Sequence, residues 1–209
     1  MALQLPPLPQ PLGLNHPTAD LLLARQTETI ILREKVMSLS GDSFDISLQN
    51  GQPILRVQGS VFSFSGRKTV MNLNNQPVFD IKKEHLHIHA TYAAVDPNGN
   101  PLLEVKSSFK LIGSKARATF VNKYTGQQES FLMQGNWFDS RADIVHEKTG
   151  MVVGNINRKL LSGRDILFGQ QTYALTVAPG VDMSLMVAMC ICMDEKNNEG
   201  KGGGILGLI

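Results

Sequence analysis

The chain is poor in cysteine and in large aromatics, with two Cys, one Trp and three Tyr among 209 residues. Two cysteines cannot build a disulfide framework, so a reducing compartment is the default expectation. An excess of one charge is also lacking: 20 Lys+Arg stand against 18 Asp+Glu, a net charge of +2. That balance, with no base-stacking motif, argues against a nucleic-acid partner. Long hydrophobic runs are missing too. The longest, Met183 to Met193, would span about 16 Å as a helix, roughly half of a bilayer's hydrocarbon thickness, so no transmembrane span is expected. The first residues have no basic stretch followed by an uninterrupted apolar core, so no secretory signal is expected either. With 42% apolar and 18% charged residues, composition describes one soluble globular domain and excludes a disordered, collagen-like or multi-span membrane chain.

What is present begins with proline. Residues 1–17 hold five of the ten prolines, too many for a helix or a central strand, which predicts an extended arm that either lies on the domain or moves freely. Pro6 to Pro11 lacks the flanking Arg or Lys of an SH3-type ligand. At the other end, Pro179-Gly180 breaks a strand, Asp182 is an N-cap candidate, and Met183 to Met193 has Ser184 as its one conventionally polar residue. A helix apolar on every side has to be enclosed on every side. The predicted core therefore centres on this helix, including Leu185, Met186, Met189, Ile191 and Met193, with Gly200 as a stop signal. The expected organisation is an arm over 1–25, a domain over 26–199 and a Gly-rich apolar tail over 200–209 that docks on the domain, docks on a partner, or frays.

Between Ile30 and Val177 the pattern is β throughout. Asn50-Gly51-Gln52-Pro53 is echoed by Asn74-Asn75-Gln76-Pro77 and Asn98-Gly99-Asn100-Pro101, and more weakly by Thr125-Gly126-Gln127 and Thr149-Gly150-Met151. Asn-Gly favours type I′ hairpins, and a proline soon after is tolerated at the first residue of a strand. Five hairpin units and one wholly apolar helix are reconciled by a mainly β fold, a closed antiparallel barrel of about twelve strands around the C-terminal helix.

Arg33 to Ile46, followed by Asn50-Gly51 and Leu55-Arg56-Val57, resembles the opening of the LURP-one-related proteins. Gly135-Asn136-Trp137-Phe138, Val153 to Lys159, and Tyr173 to Asp182 leading into the apolar helix extend the resemblance over about Ile30 to Glu195. It implies a fold similar to the tubby C-terminal domain and the phospholipid scramblases, a twelve-stranded barrel around a buried helix. Tubby domains bind phosphoinositides in a basic pocket, and scramblases are associated with calcium-dependent lipid movement. No tubby pocket motif matches residue by residue, and a scramblase-like cysteine cluster is absent, since Cys190 and Cys192 fall in the presumed core helix. Fold kinship of this depth does not transfer function.

Charge distribution is the functional lead. Residues 105–128 carry Lys106, Lys110, Lys115, Arg117 and Lys123 without an acid, and residues 151–164 carry Arg158, Lys159 and Arg164 without one. Those segments hold +8 of a net +2, leaving −6 elsewhere. A one-sided basic surface attracts anionic lipid, at about 1 kcal/mol per Lys or Arg near the membrane. Lys106, Lys110, Lys115, Arg117, Lys123, Arg158 and Lys159 are accordingly the candidate headgroup-binding residues. His85, His87 and His89 share one strand face, a weak alternative as a metal site because alternate strand positions lie about 7 Å apart. Neither a phosphate loop nor a Ser/His/Asp set can be assigned. The expected protein is thus a non-catalytic, cofactor-free, cytoplasmic tubby-like domain that recognises a phosphoinositide or another anionic lipid headgroup peripherally at the plasma membrane. The alternatives are a stress- or defence-related scaffold binding a protein through its arm or tail, and scramblase-like lipid transfer.

Overall fold

The computed structural model describes residues 3–35, 43–59, 67–84, 91–109, 114–136, 141–157 and 172–202. Twelve strands account for most of them: β1 (Glu28–Lys35), β2 (Ser43–Leu48), β3 (Pro53–Gly59), β4 (Lys68–Met71), β5 (Pro77–Glu84), β6 (Thr91–Val95), β7 (Pro101–Phe109), β8 (Ser114–Val121), β9 (Gln128–Asn136), β10 (Arg141–His146), β11 (Val152–Asn157) and β12 (Thr172–Val177). One long helix, α1 (Met183–Gly202), follows. Each strand pairs antiparallel with its neighbours in sequence, and β1 pairs with β12 through Glu28↔Val177 to Arg33↔Thr172, so the sheet closes and leaves no free edge. Period-two burial supplies the wall: β10 alternates exposed or half-buried residues with buried Ala142, Ile144 and His146.

The repeated turns are the hairpins β2–β3, β4–β5, β6–β7, β8–β9 and β10–β11. Their type differs from the type I′ expected. One residue per turn takes positive φ, namely Gly51, Asn75, Gly99, Gly126 and Gly150. In the first, Gly51 N–H donates to Leu48 O and Leu48 N–H to Gln52 O, closing a three-residue loop with a left-handed third residue and a bulge behind it. The pairing shifts register at Ile46/Ser47, and again at Val70/Met71 and Ala94/Val95 in the next two hairpins. Side chains select this form: Asn72 Oδ1 accepts from the backbone of Asn74 and Gln76, and Asp96 Oδ1 from that of Asn98 and Asn100.

The bore is solid. Every residue from Met183 to Met193 is buried, and Phe44, Phe79, Phe120 and Phe131 face it from the wall. Gly154 makes room on β11, because a Cβ there would fall 2.2 Å from Met186 Cε. The helix continues to Gly202, past the stop expected at Gly200; a glycine inside a helix costs only about 1 kcal/mol and does not by itself end it.

The arm lies on the domain. Leu8 and Leu12 donate their N–H groups to Pro179 O and Gly180 O, while the returning residues Leu22 and Ala24 bond to Met183 and Val181. The β12–α1 connection is thereby gripped from both sides, and Leu5, Leu12 and Leu14 are buried over the end of the barrel where the helix begins. Replacing Leu185 or Met189 with Asp should abolish soluble folding, because an unpaired charge would be sealed inside the barrel. A normal melting transition in either variant would show that the helix is not enclosed.

Candidate functional site

The candidate basic residues divide by position. Lys106 on β7 and Arg117 on β8 are direct cross-strand partners on the outer face, and Lys115 stands two positions before Arg117 on the same strand. Lys123 follows in the β8–β9 turn. Lys110, Arg158, Lys159, His85, His87 and His89 lie outside the described residues. The tract that reads as free of acid in sequence is supplied with acids by Glu104, just before it on β7, by Glu147 of the β10–β11 turn and by Asp20 of the arm. Lys106 Nζ is 3.0 Å from Glu104 Oε2, Arg117 NH2 is 2.8 Å from Glu147 Oε1, and Lys123 Nζ is 2.7 Å from Asp20 Oδ2.

These pairs are not equivalent. The Lys106 and Arg117 side chains are 56% and 60% exposed, and exposed pairs contribute about 0–1 kcal/mol, so either cation can be re-partnered at little cost. Ser130 donating to Glu147, and then Arg117 itself, hold the Glu147 carboxyl below its ordinary range. Lys123 is only 23% exposed and shares Asp20 with the Tyr124 hydroxyl, which donates at 2.9 Å. Those two hydrogen bonds, Lys123 first, lower the Asp20 pKa, while burial and the Asp20 carboxylate push Tyr124 upward. Lys123 therefore ties the arm to the barrel.

A second cluster was not legible in the sequence because its members are far apart. His16, Asp182 and Ser184 meet in full burial under the arm: His16 Nε2 is 2.7 Å from Ser184 Oγ and 3.4 Å from Asp182 Oδ2. The trio names those of a hydrolase triad, but its geometry is different. One imidazole nitrogen faces both partners, and Ser184 Oγ donates to Asp182 Oδ1 at 2.7 Å, leaving no serine proton for His16 to accept. Asp182 Oδ1 also accepts the Ser184 N–H as the cap of α1, and Asp182 Oδ2 accepts the Leu14 N–H of the arm. The cluster joins arm, cap and helix. At the same end, His146 Nε2 lies 2.8 Å from Glu129 Oε2 and Nδ1 lies 3.0 Å from Thr149 Oγ1, a second buried histidine fully engaged with its neighbours. Among the described residues no three His, Cys, Asp or Glu side chains are grouped as metal ligands.

A family model described as LURP-one-related matches residues 28–194. Protein LURP-one-related 10 of Arabidopsis thaliana is 22% identical over 171 residues, which cover 79% of this chain and 88% of that protein. Protein LURP-one-related 15 of the same plant is 19% identical over 170 residues, covering 79% and 78%. An X-ray structure of a protein from Arabidopsis thaliana superposes with a TM-score of 0.59 at 17% identity, over 84% of this chain and 94% of that one.

Substituting Asp182 with Ala removes the helix cap and strands two buried N–H donors, so stability should fall by about 3–5 kcal/mol in urea unfolding. A loss under about 1 kcal/mol would mean that the arm is not locked through this carboxylate.

Proposed function

The chain belongs to the LURP-one-related family, and we propose that it is a non-catalytic binding module whose β7–β8 outer face meets an anionic lipid headgroup, phosphoinositides included. The observation that carries this reading is the register pairing of Lys106 with Arg117, both solvent-facing and each paired with a single, partly exposed carboxylate. A phosphate arriving there exchanges one weak surface pair for a charge-assisted bond to a planar guanidinium. Lys115, two positions along β8, extends the same tract. Among the described residues no helix is long and apolar enough to cross a membrane, and the contact proposed is peripheral and cytosolic.

The scaffold alternative has less support where it relies on the arm. Its backbone donors at Leu8, Leu12, Gly13 and Leu14 are spent on the chain's own barrel, so a partner binding Pro6 to Pro11 would compete with folding contacts. Residues 203–209 lie outside the described residues.

The test is co-sedimentation with phosphoinositide-containing vesicles at two salt concentrations. Binding should weaken as salt rises, and reversing both Lys115 and Arg117 to Glu should reduce affinity by about 30-fold, the equivalent of about 2 kcal/mol. Lys123 is left intact because it fastens the arm. Binding indifferent to lipid charge, or unchanged in the double variant, would overturn the proposal.

A further inference from the structure

A groove of about 460 Å³ lies on the outer wall across β10, β11, β12 and β1, bordered by the start of the arm at Leu3 and Gln4. Barrel register explains its lining. Arg141, Asn157, Ala174 and Ile31 are consecutive cross-strand partners, and beside them run Asp143, Asn155, Thr176 and Thr29. Each row crosses three inter-strand gaps, about 14 Å. Ala174 is the small member of its row, which is why the wall is hollow there between longer side chains. The volume lies within the range of small-molecule sites.

The chemistry of the groove is selective. Arg141 is exposed at one end and, unlike Lys106, Arg117 and Lys123, has no carboxylate partner among the described residues. Both amide hydrogens of Asn155 are committed, to Asp143 Oδ1 and Ala142 O, so its carbonyl is the group left to accept. Thr29 and Thr176 hydroxyls lie 3.5 Å apart, too far to satisfy each other well. Asp143, two positions from Arg141 on β10, is turned to the Asn155 amide and is not part of the groove lining, so among the described residues Arg141 is the one charged group that lines it. One guanidinium fork, neutral amides and hydroxyls, and a short apolar floor at Ala174 and Ile31 complement a sugar-sized body with many hydroxyls and a single negative charge. A polyphosphate would bring more charge than one arginine matches.

We propose that this groove is a binding site for a monoanionic polyol, with Arg141 pairing the anion and the Asn155, Thr176 and Thr29 groups bonding the hydroxyls. Its nearest strand, β10, is separated from the β7–β8 face by β9, and it stands or falls independently of lipid binding there.

Titration of the isotope-labelled full chain with glucuronate, followed by amide chemical shifts, tests it. Saturable shifts at Asn155, Asn157 and Thr176 below about 20 mM are expected. Arg141→Gln, at an exposed site, should keep the melting temperature and weaken binding at least about tenfold, with Arg141→Lys intermediate. Glucose, the uncharged counterpart, should bind at least about tenfold more weakly than glucuronate. Absence of saturation, an unchanged constant in Arg141→Gln, or equal affinity for glucose would each overturn the site.

Discussion

Enclosure of α1 is the constraint on which the rest of this structure depends. A segment with Leu, Met, Val, Ile and Cys on all sides gains about 1.5–3 kcal/mol for each large side chain removed from water, and no single packing face can collect that gain. A closed sheet can. Closure in turn requires every strand to pair twice, which the β1–β12 ladder completes. Methionine suits the filling because its unbranched thioether adapts to an irregular bore: Met183, Met186, Met189 and Met193 are all in the helix and all buried. Phenylalanine, which is stiffer, supplies the wall, as at Phe44, Phe79 and Phe131.

Burying a helix end creates the opposite problem, since its first N–H groups have no intrahelical partner and no water. Asp182 resolves this for Ser184, and its second oxygen then becomes the fastening point for Leu14 and His16. The proline-rich arm is thus consumed as a lid. Prolines suit that role because the arm bonds by selected N–H groups only, and a chain with fewer free donors has fewer to leave unsatisfied. Gly13 fits the tightest point, where a Cβ would stand 3.0 Å from the Tyr124 ring and 3.2 Å from Asp182 Cβ.

What the residues disclosed in advance was whatever is local or periodic. Five turn dipeptides located five hairpins, and an apolar run with Asp182 before it located the capped core helix. Turn class is not legible in the dipeptide, because Asn-Gly serves both I′ turns and glycine-bulge loops; in two of the hairpins Asn72 and Asp96, two or more residues upstream, set it by bonding forward into the turn. Charge was the least legible property. A tract without acids in sequence is not a surface without acids when Glu147 and Asp20 arrive from other parts of the chain. His16 with Ser184 is separated by 168 positions, and no spacing rule reaches across that distance. Lys68 makes the same point from inside: a lysine at an inward position, its ammonium 4.7 Å from the Phe44 ring centroid.

A barrel filled by its own helix cannot hold a ligand in its bore as an open up-and-down barrel does, which leaves the outer wall and the ends as the surfaces open to a ligand. One end carries the arm and its buried hydrogen bonds. On the wall, side chains alternate, so each outward ladder is a row of every second residue read across strands rather than along the sequence. That geometry makes compact, chemically mixed sites from residues distant in sequence, and it separates them around the circumference. Arg117 on β8 and Arg141 on β10, the nearest members of the two outward rows, are separated by β9 alone.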